Sequence, residues 1–389
     1  RAAEAKAILN AIGPGVNVFV AASNEGSIAI HAQSTLANNE SKTLQYELPS
    51  DQNRLEINIF TDANDTFEVK FKIRGKEIAM DWTKDGKVSE ADYELEWVAG
   101  ENHSPNNAVK RTNVIVAFNN ALTKEETFEF ALKKTGGTGS GVFDAYDVTE
   151  KGVFLNHVPK HADGSVKGTM ASPGTSKGAI AVGAYNVRNI FDIENGNYYL
   201  DSTTFLIPGD MAPFSSRGPT RDGRPGVTIV TPGNYIESVM TGYITDCKKD
   251  PKLQGCADLI SRLTKQGTYI AEGTSMATPM GTGSAALLLQ KDPTLYVRPL
   301  LQSTAQTPNW DNQKLASIWG KGLVRLPGAF AKWSAGDVPK VTLSATGGQT
   351  KGAAPFEVEL KINNTNATPL GEVLWNTDGV PGNEHTTTT

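Results

Sequence analysis

The stretch Gly273-Thr274-Ser275-Met276-Ala277-Thr278-Pro279 sets a serine between a tight glycine turn and the start of an apolar run rich in small residues. An unassisted hydroxyl is a poor nucleophile. At a helix N-terminus it projects from fixed backbone, beside unpaired N–H groups that stabilise developing negative charge. The pattern predicts a helix from Ser275 to about Gln290, with Ala277, Gly281, Ser284, Ala285 and Leu288 near one face. Residues that small let a helix approach its neighbours closely. The plainer reading is a buried helix with a serine near its N-cap.

All seven positions match the nucleophile motif of the subtilisin-like serine proteases, Gly-Thr-Ser-Met-Ala-Thr/Ser-Pro, and on that resemblance Ser275 is the nucleophile. A second stretch, Ala21-Ala22-Ser23-Asn24-Glu25-Gly26, resembles the oxyanion-hole motif of the same family, with Ser23 where the family has glycine. It closes the apolar run Val16 to Ala22, which reads as a strand buried on both faces of a parallel sheet. Open α/β sheets carry their functional groups at such carboxyl ends. Asn24 on its own also reads as a turn residue tolerant of left-handed backbone. The resemblance implies instead that its side-chain amide donates to the oxyanion of a tetrahedral intermediate. It likewise implies that Ala21, Ala22, Ser23 and Thr274 line the substrate cleft, and that the substrates are extended polypeptides.

Further stretches extend the likeness. Thr169-Met170-Ala171-Ser172-Pro173-Gly174-Thr175 precedes a strand Ala179 to Tyr185, and the family pattern suggests a cis bond before Pro173. Phe214-Ser215-Ser216-Arg217-Gly218-Pro219-Thr220 is a subtilase signature, and Trp319 to Ala331 is like the closing strand and helix of such a domain. Residues 2–12 read as a helix stopped by Gly13-Pro14-Gly15, and Thr294 to Ala305 as another.

Between these parts the periodicity changes to two. Leu44/Tyr46/Leu48, Leu55/Ile57/Ile59, Phe67/Val69/Phe71/Ile73, Tyr93/Leu95/Trp97, Val114/Val116/Phe118 and Phe128/Phe130/Leu132 alternate with polar residues, as half-buried antiparallel strands do. Asp62-Ala63-Asn64-Asp65 reads as a hairpin turn and Gly136 to Gly141 as a flexible hairpin connection, since it lacks the Lys-Ser/Thr ending of a phosphate loop. The stretch Gly141 to Leu155 resembles the jelly-roll insertion of clostridial Csp-type subtilases, which implies a rigidifying module.

The expected fold class is therefore α/β: a subtilisin-like parallel sheet with helices on both faces, interrupted by an inserted antiparallel β-sandwich of jelly-roll type. The expected divisions are 1–32 with 165–334 for the catalytic part, 33–164 for the insert, and 335–389 for a linker and a truncated, Ig-like domain resembling the PKD type.

A subtilisin-type site needs a histidine base and an orienting aspartate in the chain order Asp, His, Ser. None of His31, His103, His157, His161 and His385 is followed by Gly-Thr as the family's catalytic histidine is, so each reads as a surface or loop residue. The chain is expected to be a fragment whose missing triad members lie upstream. Its alternatives are a pseudoprotease serving as scaffold or binding partner, or a separate processed chain supplying Asp and His.

With 389 residues, 37 basic against 42 acidic and a formal charge of −5, no basic tract suggests nucleic acid and no apolar run is long enough to span a bilayer. Cys247 and Cys256 lack neighbours that would complete a zinc set, leaving a local disulfide or two free thiols. No cofactor is required. Structural calcium is common in subtilases, but no D-x-[DN]-x-[DN]-G stretch marks a site. The family and the cysteine pair point to an extracellular or cell-surface protein.

Overall fold

A computed structural model describes residues 2–336 apart from 14, 103–107, 189, 195, 197, 201–206, 240, 241, 254 and 308–314, and beyond them four short strands. Helix α1 (Ala2–Ala11) and strand β1 (Phe19–Ala21) come first. A run of strands follows: β2 (His31–Thr35), β3 (Ser41–Leu48), β4 (Arg54–Asp62), β5 (Asp65–Ile73), β6 (Lys76–Met80), β7 (Gly86–Ser89), β8 (Tyr93–Asn102), β9 (Val109–Phe118), β10 (Glu126–Gly137), β11 (Val142–Asp147) and β12 (Val153–Phe154). The α/β pattern then resumes with β13 (Ile180–Asn186), β14 (Ile190–Asp192), β15 (Tyr198–Leu200), β16 (Ile229–Asn234) and β17 (Ile236–Ser238). Next come α2 (Tyr243–Lys249), α3 (Cys256–Ser261), β18 (Tyr269–Ala271), α4 (Thr274–Lys291), α5 (Val297–Thr304), α6 (Ala316–Trp319) and α7 (Leu326–Ser334).

Strands β1, β13 and β16 pair in parallel, with β13 in the middle. Strand β13 is apolar on both faces, and each face has its own cover. Ile180, Val182 and Ala184 pack with Ala277, Ala285 and Leu288 of α4 and with Leu300 and Leu301 of α5. Ala181, on the other face, joins Ala22, Met170, Val230, Ile318 and Trp319. Gly281 lets α4 lie close, since a Cβ there would already stand 3.4 Å from the Phe19 ring and 3.6 Å from Val182.

The reading of Val16 to Ala22 as a fully buried strand is corrected. Only Phe19–Ala21 is strand, all three residues are half-buried, and Val16 is 48% exposed. The reason is position: among the described residues β1 pairs on one edge only.

The alternating segments form two antiparallel sheets, β12-β3-β10-β5-β6 and β2-β11-β4-β9-β8-β7. Their inward residues, all those of the six alternating sets, merge into a single core. Phe71 lies 4.6 Å from Phe130 ring to ring, and Phe118 of the second sheet lies 5.9 Å from Phe128 of the first. The second sheet begins at His31, two residues before the expected boundary.

Two connections differ from the sequence reading. β4 and β5 lie in different sheets, as do β10 and β11, so neither Asp62–Asp65 nor Gly136–Gly141 is a hairpin; both cross between sheets. The glycine-rich crossing is also pinned. Asp62 and Asp65 carboxylates accept from the Ser140 and Gly141 N–H groups at 3.1 and 2.7 Å, and the buried Lys134 ammonium sits 2.8 Å from Asp65. A Cβ at Gly139 would stand 2.5 Å from the Asp62 carboxyl carbon, so only glycine lets the loop close on these acids.

Past Gly336, Val341–Ala345 pairs with Leu360–Asn364 and Glu372–Asn376 with Glu384–Thr388, both antiparallel. The linker and truncated PKD-like domain expected over 335–389 otherwise lie outside the described residues.

Candidate active site

Helix α4 begins at Thr274, one residue before its expected start, with Gly273 as N-cap at φ 139°, a conformation that favours glycine. Beneath this turn the Gly273 N–H donates to Gly233 O at 2.9 Å. The approach is so close that a Cβ on Gly233 would stand 2.5 Å from Ala184 Cβ and 2.8 Å from Ala277 Cβ. Thr231 on the same strand donates its hydroxyl to Ala277 O at 2.6 Å. Strand β16 therefore holds the serine turn from below. The buried face of α4 is Thr274, Ala277, Gly281, Ala285 and Leu288; Ser284, expected among them, is half-buried.

Asn24 reaches this turn from the end of β1. Its Oδ1 accepts from both the N–H and the hydroxyl of Thr274, at 2.9 and 3.0 Å. A backbone N–H can only donate, so the carbonyl end of the amide must face Thr274 and the Nδ2 end is directed elsewhere. Among the described residues neither Asn24 Nδ2 nor the Ser275 N–H has a hydrogen-bond partner. Asn24 and Ser275 are both exposed. The sequence places them 251 positions apart on either side of the β-sandwich; the fold makes them neighbours.

The loop carrying Asn24 is tied to the Phe214–Thr220 segment. Gly26 N–H donates to Phe214 O at 2.7 Å, Ser216 N–H to Ser23 O at 2.9 Å, and Arg217 Nη1 to Gly26 O at 2.8 Å. Ser216 Oγ accepts from the Glu25 N–H at 2.9 Å and donates to Glu25 Oε2 at 3.1 Å. Burial pulls the Arg217 pKa down, while burial first and then the Glu150 charge push the Glu25 carboxyl up to about 7. Glu25, Ser216 and Thr231 carry no signal of their own in the sequence, because their partners come from segments 191 and 46 positions away.

Of the expected cleft residues, Ala22 and Thr274 are fully buried. Ala22 packs against Met170 and Ala181, and Thr274 spends both its donors on Asn24, so neither presents a surface to a substrate. Ala21 and Ser23 remain half-exposed at the end of β1. Ser23 adopts φ 83°, left-handed backbone that explains why the family pattern has glycine there.

His31 and His161 are both buried, and His31 lies in strand β2 rather than in a loop, while His161 is in a loop. His31 uses both ring nitrogens at 2.9 Å, on Lys167 O and Asp144 Oδ1, and stacks on Tyr146 at 4.3 Å. His161 Nε2 meets Gly218 O at 3.1 Å, and burial lowers its pKa. None of the described histidine side chains is bonded to Ser275; His103 and the side chain of His385 lie outside the described residues.

The bonds before Pro173 and Pro219 are cis. Cys247 and Cys256 are joined as a disulfide that ties α2 to α3. Among the described residues no group of three or more His, Cys, Asp or Glu could hold a metal ion, and no helix is long and apolar enough to cross a membrane.

Residues 155–322 match the subtilase family, Peptidase_S8. The serine protease AprX of Bacillus subtilis (strain 168) is 35% identical over 161 residues, which are 40% of this chain and 30% of that protein. An uncharacterized protein of Aquifex aeolicus (strain VF5), aq_aa18, is 35% identical over 157 residues, 40% of this chain and 61% of its own length. This chain thus spans less than two thirds of either relative. Among solved structures, the CspB protease of Clostridium perfringens shares the fold at a TM-score of 0.60 over 84% of this chain and 62% of its own, with 20% identity. Over residues 155–322 this chain is thus similar to the subtilases, and over 40% of its length to a serine protease of that kind.

Proposed function

We propose that this chain supplies the nucleophile and an oxyanion donor of a subtilisin-type serine endopeptidase. One observation carries the reading: Thr274, directly before Ser275, fixes the carbonyl end of the Asn24 amide and so leaves its N–H₂ end available beside the serine. In this scheme Ser275 Oγ attacks the carbonyl carbon of an extended peptide, and its proton passes to a histidine base. The oxyanion accepts from Asn24 Nδ2 and the Ser275 N–H. Collapse expels the amine, which takes that proton, and leaves an acyl-enzyme that water hydrolyses.

The base and its aspartate are assigned to sequence outside this chain. Two open surfaces favour that assignment over a complete site. Helix α4 exposes Met280, Gly283, Ala286 and Leu287, with Met280 at 45% and Leu287 at 48%, and one edge of β1 is unpaired among the described residues. A further layer of the catalytic fold fits both. The second reading is a pseudoprotease, favoured by the lack of a base at Ser275 among the described residues. Residues 33–164 are read as an inserted jelly roll that stiffens the catalytic part, residues 335–389 as a linker with a partial PKD-like domain, and the Cys247–Cys256 disulfide as suited to an oxidising, extracellular setting.

The two readings separate on treating the full-length protein with a fluorophosphonate and mapping the adduct by mass spectrometry. The protease reading predicts an adduct on Ser275 that disappears in Ser275→Ala. A folded full-length protein whose Ser275 stays unmodified identifies the pseudoprotease.

A further inference from the structure

Thr274 fixes Asn24 at the amide end of its side chain, and Ser216 fixes it at the backbone end. The peptide units on either side of the Asn24 Cα are planar, so φ and ψ of Asn24 are the only soft angles between them. Ser216 holds both units. Its N–H donates at 2.9 Å to Ser23 O, the carbonyl of the unit before the Asn24 Cα. Its Oγ accepts at 2.9 Å from the Glu25 N–H, the amide of the unit after it. With both plates tied to one residue, the direction in which the Asn24 side chain leaves the backbone is set.

The hydroxyl is itself oriented. A serine hydroxyl carries one proton and two lone pairs. The proton goes to Glu25 Oε2 at 3.1 Å, which leaves a lone pair for the Glu25 N–H. The acid beside Asn24 therefore aims the hydroxyl that receives its own backbone N–H. Ser216 is fully buried and Glu25 is 8% exposed, and bonds in so dry a place are stronger than the same bonds at the surface.

The seat of Ser216 does not depend on the Asn24 loop. Ser215 Oγ accepts at 3.0 Å from the Ala184 N–H of β13, the middle strand of the parallel sheet, and the Ser215 N–H donates to Ala212 O at 2.9 Å. On the other side the Arg217 N–H donates to Thr169 Oγ1 and the Thr169 N–H to Arg217 O, both at 2.9 Å. The two consecutive serines thus lead from the sheet to the loop: the first grips β13, the second grips the backbone around Asn24.

We propose that Ser216 is a positioning residue for the oxyanion donor, holding the peptide units that flank Asn24 so that Nδ2 is aimed at the developing oxyanion. The role rests on Asn24 being that donor, as proposed above. Ser216 touches neither the substrate nor the reacting atoms. What it supplies is preorganisation: a donor already in place needs no rearrangement when charge develops, and one whose backbone is free to turn loses part of its effect.

A double-mutant cycle on kcat of the full-length protein, with a peptide substrate, tests the role. Ser216→Ala keeps the N–H to Ser23 O and removes the hydroxyl. It should lower kcat about fivefold or more at unchanged KM. In an Asn24→Ala background the same substitution should change kcat by less than about twofold, because the group it aims is gone. Thr228→Val is the matched control. The Thr228 hydroxyl likewise accepts from a buried backbone N–H, that of Ala181 on β13 at 3.1 Å. This variant should lower the thermal midpoint and leave kcat within about twofold of wild type.

An equal loss from Ser216→Ala in both backgrounds, or no loss from it alone, overturns the positioning role. So does a Thr228→Val variant whose kcat falls as far as that of Ser216→Ala, since kcat would then follow stability. Should Ser216→Ala fail to fold, Ser216→Cys takes its place in the cycle, a thiol being a weak donor and acceptor on a side chain of the same shape. Failure of the oxyanion reading shows separately, as an Asn24→Ala variant with unchanged kcat, and the role of Ser216 falls with it.

Discussion

Gly233 decides how close the serine turn can come to the sheet. Its carbonyl receives the Gly273 N–H, and a methyl group in its place would press on Ala184, on Ala277 and, at 3.0 Å, on Gly273 O. Gly233→Ala should therefore destabilise this chain by about 1–3 kcal/mol, read from chemical denaturation, because two packed backbones must separate to admit one methyl. An unchanged midpoint would show that the turn is not held from below. At this scale the sequence was legible where a motif is contiguous. Ser275 and Asn24, which two separate motifs single out, are brought together by the fold. Thr274 was legible only in part, as its burial and its grip on Asn24 arise from a contact across 250 positions. Ser23 shows the reverse: a departure from the family glycine is tolerated with the left-handed backbone kept.

Helix α4 shows what a single element can and cannot reveal. Its small residues predicted close packing, and Ala277, Gly281, Ala285 and Leu288 deliver it. The opposite stripe is nearly as apolar, so periodicity could not say whether that side faces water or protein. In this chain it is open at Met280 and Leu287. Leu287→Lys should accordingly change the stability of this chain by no more than about 0.5 kcal/mol. The full-length protein, where the proposed further layer covers that face, should lose about 2 kcal/mol or more in the same comparison. Equal tolerance of Leu287→Lys in both would remove the covering layer. The strands of the β-sandwich were legible because alternation is local. Their assignment to two sheets was not: Asp62–Asp65 and Gly136–Gly141 have the composition of hairpin turns, and only the placement of β4, β5, β10 and β11 in different sheets makes them crossings.

Across the whole molecule, the site is assembled from parts that chain order keeps distant. Strand β1 brings Asn24, helix α4 brings Ser275, and the segment 214–220 locks the first to the sheet. The β-sandwich, inserted between them, meets the segment that follows it through His31, whose ring nitrogen lies 2.9 Å from Lys167 O. What no reading of the residues could supply was this junction, since the histidine and its backbone partner stand 136 positions apart. The account stands or falls on Asn24 acting in the transition state rather than in the fold. Removing one oxyanion donor lowers kcat by about 10²–10³, the magnitude set by the corresponding asparagine of subtilisin. The direct measurement is kcat and KM of the full-length protein and of Asn24→Ala on a peptide substrate. The predicted result is a loss of that size in kcat with KM unchanged, as for a group that binds only the transition state. A variant that folds normally and keeps its kcat would contradict it.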